Sequence, residues 1–174
     1  MSTPFKTMLA AAVALLACVP ALAGSEIALS SKLIGARIDA KTAGIISISN
    51  LSSGESHAVK SDNCRIETDR GPIDLGAARW TVTSTRRNSC SFVTDAGGIE
   101  VKRVYAIHPE RGYFDRSLTL TNNSGSDVVL KHITGVDLQF AEPFISADFH
   151  TDNTTYANSV NVFLRAPRGT LCVG

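Results

Sequence analysis

The sequence predicts an all-β fold, an antiparallel β-sandwich. Three observations predict it. Beyond residue 23, apolar residues hardly ever recur at the 3.6-residue spacing of a helix, and period-two alternation takes its place. Turn signals rich in Gly, Asn, Asp, Ser and Pro interrupt that alternation at roughly eight- to twelve-residue intervals, the spacing of sandwiches and barrels. Hydrophobic residues make up 44% of the 174 residues and charged residues 19%, which supplies a packed core and argues against disorder.

The elements follow in order. "KLIGARID" sets Ile34, Ala36 and Ile38 on one face, "TAG" turns the chain, and "IISISN" returns. "NLSSGES" reads as a turn. "CRIETD" alternates Cys64, Ile66 and Thr68 against Arg65, Glu67 and Asp69. "DRGP" turns into "PIDLG". "RWTVTSTRR" places Trp80 and Val82 on one face and threonines on the other, the mark of a sheet with one wet side. "CSFVTD" pairs Cys90 with Phe92, and "AGG" turns into "IEVKRVYAIH", with Ile99, Val101, Tyr105 and Ile107 together. "YFDRSLTLTN" points Phe114, Leu118 and Leu120 inward. "DVVLKHITGVDLQF" is a long or bent strand with Gly135 at a bulge. "AEPFISADFHTDNTTYANS" holds no sustained period and reads as the longest irregular segment, the kind of loop that carries function. "VNVFLRA" resumes a strand, and "APRGTLCVG" turns into the start of another. That last strand is expected either to lie inside a larger sheet or to pair within a complete one.

The first residues stand apart. "MSTPFKTMLAAAVALLACVPALAGSE" has one Lys, an apolar run from Met8 to Cys18, and "ALA" before Gly24. This is the layout of a secretory signal peptide over residues 1–23, cleaved after Ala23, and the run is short for a bilayer span. A competing reading takes "LLAC" as a lipobox, with Cys18 lipidated and the protein held at a membrane. Either route exports residues 24–174 as one β-sandwich domain, to the periplasm or the medium. Export permits disulfides. Cys64 and Cys90 can bridge, leaving Cys172 over; the alternative is buried thiols packing as small hydrophobes.

The formal net charge is +1, with no basic run, so nucleic acid is not an expected partner. No Cys/His cluster has the spacing of a zinc site, and no GxSxG or phosphate-binding loop occurs, so neither a metal nor another cofactor is expected. Of the histidines, His57, His108 and His132 sit in ordinary strand or turn contexts. His150 lies between Asp148 and Asp152 inside the irregular segment, where carboxylates and an imidazole suit a sugar hydroxyl or a metal, the alternative being a solvated polar loop. Tyr156 can stack on a sugar face and offer a hydroxyl, and Arg165 is a charge within an apolar strand. Asp148, His150, Asp152, Tyr156 and Arg165 are therefore the expected ligand-binding residues. Asp137 and Glu142 add carboxylates, but their presence does not make the spaced pair that glycoside hydrolysis needs.

Four stretches together carry a family resemblance: "GARIDAKTAGIISISNLSSGES", "RIETDRGPIDLG", "VYAIHPERGYFDRSLTLTNNSGSDVVL" and "NVFLRAPRGTLCVG". They resemble the N-terminal β-supersandwich domain of bacterial glycoside hydrolases of the alpha-galactosidase (melibiase) kind, a galactose-mutarotase-like fold. The resemblance implies a carbohydrate partner and a non-catalytic module. Such a module shapes the substrate cleft of a catalytic barrel that follows it, so no catalytic residue is expected in this chain. Two rival expectations stand beside it: a stand-alone cell-envelope binding or structural protein, and a mutarotase-like sugar epimerase with an acid and a base across a cleft.

Overall fold

The computed structural model describes residues 25–152 and 159–173, with side chains at 25–147 and 164–169. The described residues form strands and turns, without a helix. The strands are β1 (Glu26–Ser30), β2 (Ile34–Asp39), β3 (Ile45–Asn50), β4 (Glu55–Thr68), β5 (Gly71–Asp74), β6 (Thr81–Arg86) and β7 (Ser89–Ala96). They continue as β8 (Ile99–Ile107), β9 (Phe114–Asn122), β10 (Leu130–Phe140), β11 (Ser146–Asp152), β12 (Ser159–Arg165) and β13 (Thr170–Val173). All pairings are antiparallel. One sheet runs β1-β2-β3-β4-β10, with β5 beside the second half of β4. A second runs β6-β7-β8-β9, and a third β11-β12-β13.

The first two sheets share one core, and so make the expected sandwich. Ile27, Leu29, Ile38, Ile48 and Ile66 come from one sheet, and Cys90, Phe92, Val101, Tyr105 and Ile107 from the other. Full burial of a side chain such as Ile38 or Phe92 stabilises the fold by about 1.5–3 kcal/mol. The Phe92 ring meets Tyr105 edge-on at 6.1 Å, and Phe114 stacks on Tyr105 at 5.5 Å, the two favoured aromatic geometries. The β7–β8 hairpin turns on Gly97 and Gly98, with φ of 66° and 79°. A two-residue turn of this hand needs both central residues left-handed, which is why "AGG" sits there.

The alternation read from the sequence recurs in the strands. Cys90 and Phe92 are buried together, and Thr81, Thr83 and Thr85 face solvent. Gly135 lies in a register shift between Thr134 and Asp137, the expected bulge. Three expectations are corrected. β4 starts at Glu55 rather than near Cys64, because its first half alternates polar residues with half-buried ones and so lacks an apolar signature. The "irregular" segment contains β11, paired with β12 from Ser146 opposite Arg165 to Asp152 opposite Ser159. Its Pro, Asp and Asn residues masked the alternation of Ala147, Phe149 and Thr151. Finally, Cys64 and Cys90 are free thiols, so no bridge joins them. β4 and β7 belong to different sheets, and Cys90 is committed to the core. Residues 1–24, including the expected signal peptide and Cys18, lie outside the described residues, as does the side chain of Cys172.

Burial pushes the Cys90 thiol up to about 12, far above the range where thiolate forms at neutral pH. The raised value keeps it protonated at pH 8, whereas Cys64 is half-buried. In a brief iodoacetamide pulse at pH 8, Cys90 is expected to stay unlabelled in the native protein and to label fully in denaturant. Peptide mass spectrometry reads this directly, and native labelling of Cys90 as fast as Cys64 would contradict the packing.

Candidate functional site

β8 is buried at every second position: Ile99, Val101, Arg103, Tyr105 and Ile107. β9 sends Phe114, Arg116, Leu118 and Leu120 to the same side, and Tyr105 stands directly opposite Arg116 in the ladder. Two guanidinium groups and a phenol therefore point into an otherwise apolar interlayer. Buried polar groups of this kind require partners. The facing sheet provides them.

The β2–β3 turn brings in Ala43, fully buried and left-handed at φ 51°. Its carbonyl accepts the Tyr105 hydroxyl at 2.6 Å and Arg103 Nη1 at 2.8 Å. Asp62, on β4, accepts Arg116 Nη1 at 2.5 Å through Oδ1 and the Ile45 amide at 2.9 Å through Oδ2. Arg116 Nη2 reaches the Gly135 carbonyl at 2.5 Å, where the β10 bulge interrupts the ladder. The Arg116 and Asp62 side chains are 6% and 3% exposed, so this is an interior ion pair. Burial is the largest influence on Arg116 and opposes its charge, but Asp62 and Tyr105 together outweigh it, and the net effect holds the guanidinium even more firmly protonated than usual. Burial pushes the Tyr105 hydroxyl up, with Arg103 pulling the other way, and it remains a neutral donor.

Arg103 has no such carboxylate. No acidic oxygen among the described residues lies within ion-pairing distance, and its Nε has no hydrogen-bond partner there. Its guanidinium lies over the Trp80 ring, 4.8 Å from the centroid, a cation–π contact. It lines a cavity of about 810 Å³ whose other lining residues come from the first sheet and its turns, among them Asp39, Lys60, Asn63, Asp74 and Asp137. That volume lies within the range of small-molecule sites. A second cleft, about 560 Å³, has a more apolar lining that includes Ile45, Ile48, Phe114 and Leu138, with Tyr113 also among its residues. Asp62 lines the first cavity and Arg116 the second.

Asp148, His150 and Asp152 occupy alternate positions of β11, opposite Phe163, Asn161 and Ser159 of β12. Their side chains and all of Tyr156 lie outside the described residues. Arg165 is exposed at the end of β12, opposite Ser146. The turn that follows docks on the β3–β4 turn, where the Arg168 amide donates to Glu55 Oε1 at 2.5 Å. Of Asp137 and Glu142, the two whose side chains are described, Asp137 lines the cavity and Glu142 does not. Arg103 and Arg116 were missed, although their signal was present: each is a charge at the inward position of an alternating strand.

Compared with protein-family models, with curated proteins and with solved structures, the chain matches none.

Proposed function

We propose that this chain is a non-catalytic carbohydrate-binding β-sandwich module of an exported carbohydrate-active protein. Its ligand would enter the cavity that the first sheet forms with Arg103. The observation that carries the reading is the cavity's lining. Asp39, Asp74 and Asp137 offer acceptors, Asn63 offers both donor and acceptor, and Lys60 and Arg103 offer donors, around a space large enough for a sugar ring. Hydroxyls both donate and accept, so a polyol satisfies a wall of mixed carboxylates and cations better than an apolar ligand does. The family resemblance of the sequence points to the same ligand class.

The chain's only tryptophan, Trp80, lies against Arg103 and makes a built-in reporter. Titration of the purified protein with neutral and acidic hexoses and their oligomers is expected to shift Trp80 emission at millimolar ligand or below. Asn63 and Asp137 are exposed, so Asn63→Ala and Asp137→Ala are expected to leave the urea midpoint unchanged. Each should weaken binding by about threefold to tenfold, the worth of one or two hydrogen bonds. If no sugar perturbs Trp80 or gives a calorimetric signal, the reading is wrong.

A further inference from the structure

Arg103 is 3% exposed and, unlike the buried Asp62 and Arg116, forms no ion pair among the described residues. Every carboxylate around the cavity is already engaged by a donor. Asp39 Oδ1 caps its turn by accepting the Lys41 and Thr42 amides, at 2.7 and 3.1 Å. Asp74 Oδ1 accepts the Gly76 and Ala77 amides, at 2.9 and 3.2 Å. Asp62 is held by Arg116 and the Ile45 amide, and Asp137 Oδ2 accepts from Asn63 at 3.4 Å. Once the Asp62–Arg116 pair is set aside, Asp39, Asp74 and Asp137 balance Lys60, Arg65 and Arg103. The balance is uneven in depth. Asp74, Asp137, Lys60 and Arg65 are exposed and Asp39 is half-buried, so the mixed charges form the rim and the deep charge is positive.

A buried guanidinium with a carbonyl and an aromatic face as its partners is under-compensated. Burial would be far better matched by an anion brought in with the ligand, because a carboxylate meets a guanidinium through charge-assisted hydrogen bonds. We propose that the ligand of this cavity is an acidic sugar. Its carboxylate pairs with Arg103 at depth, and its hydroxyls meet Asp74, Asn63 and Asp137 near the mouth. This inference rests on the carbohydrate reading above and narrows it to one class.

The test compares glucose, galactose and mannose with glucuronate, galacturonate and mannuronate, on the whole chain, by Trp80 fluorescence and calorimetry. At least one uronate is expected to bind about tenfold to a hundredfold more tightly than its neutral parent, the worth of a hydrogen bond to a charged group. Arg103→Gln should remove that preference, and Arg103→Lys should retain part of it. Added salt should weaken the uronate more than the neutral sugar. The wild-type comparison stands even if Arg103→Gln does not fold. Equal binding of uronate and parent, or a preference that survives in Arg103→Gln, overturns the acidic-sugar inference and leaves the carbohydrate reading intact. Binding of acetate or citrate through Arg103 with no binding of any sugar overturns both, as does the absence of any binding.

Discussion

Asp62→Ala is expected to destabilise the protein by about 3–5 kcal/mol, the range for removing one partner of a buried ion pair. The change strands Arg116 in an interior where its side chain is 6% exposed. It also removes the acceptor of the Ile45 amide, which ties the start of β3 to β4. The check is the urea midpoint of the variant against the parent at fixed pH. The double variant Asp62→Leu/Arg116→Met is expected to recover most of the loss. Replacing both charges by apolar groups removes the desolvation cost together with the attraction, so the pair adds little net stability even though breaking it is costly. A loss below about 1 kcal/mol in the single variant would mean that the pair behaves like a surface ion pair.

Ala43→Val should cost nearly as much, roughly 2–5 kcal/mol, without touching a charge. Ala43 is left-handed and fully buried. A β-branched side chain there adds backbone strain and overfills the site. It also displaces the one carbonyl that holds both Tyr105 and Arg103. Ala43→Gly keeps that carbonyl and relieves the strain, so it is expected within about 1 kcal/mol of the parent. Thermal melts of the two variants separate the effects. Equal stability of Val and Gly would show that the turn is not clamped.

Most hairpins were legible in the sequence because each is a local statement. "DAGGIE" specifies its own turn, and Cys90 with Phe92 specifies which face of β7 goes in. The interlayer network was not legible in the same way. Alternation of Val101, Tyr105 and Ile107 located the buried face of β8, but a pattern built from apolar residues passes over the Arg103 between them. What makes such a charge tolerable is also remote. Asp62 reaches Arg116 from another sheet, and the Ala43 carbonyl reaches Arg103 from a turn earlier in the chain. No periodicity reports a partner at that distance. β11 failed for a different reason: its turn-forming composition outweighed a real alternation.

β4 is shared by neighbours that reach it on different schedules. β3 and β5 join it through short turns, whereas β10 returns across the whole β6–β9 sheet to lie along it, with Phe140 opposite Val59 and Leu130 opposite Thr68. Closing so long a loop costs chain entropy before any contact rewards it. The hairpins around β4 should therefore form early, and the arrival of β10 should pace folding, as expected where distant pairings dominate. The walls around Arg103 share that history: Asp39, Asn63 and Asp74 lie on the early hairpins, and Asp137 arrives with the late strand. A partly folded chain thus presents an open trough, and β10 turns it into a chamber.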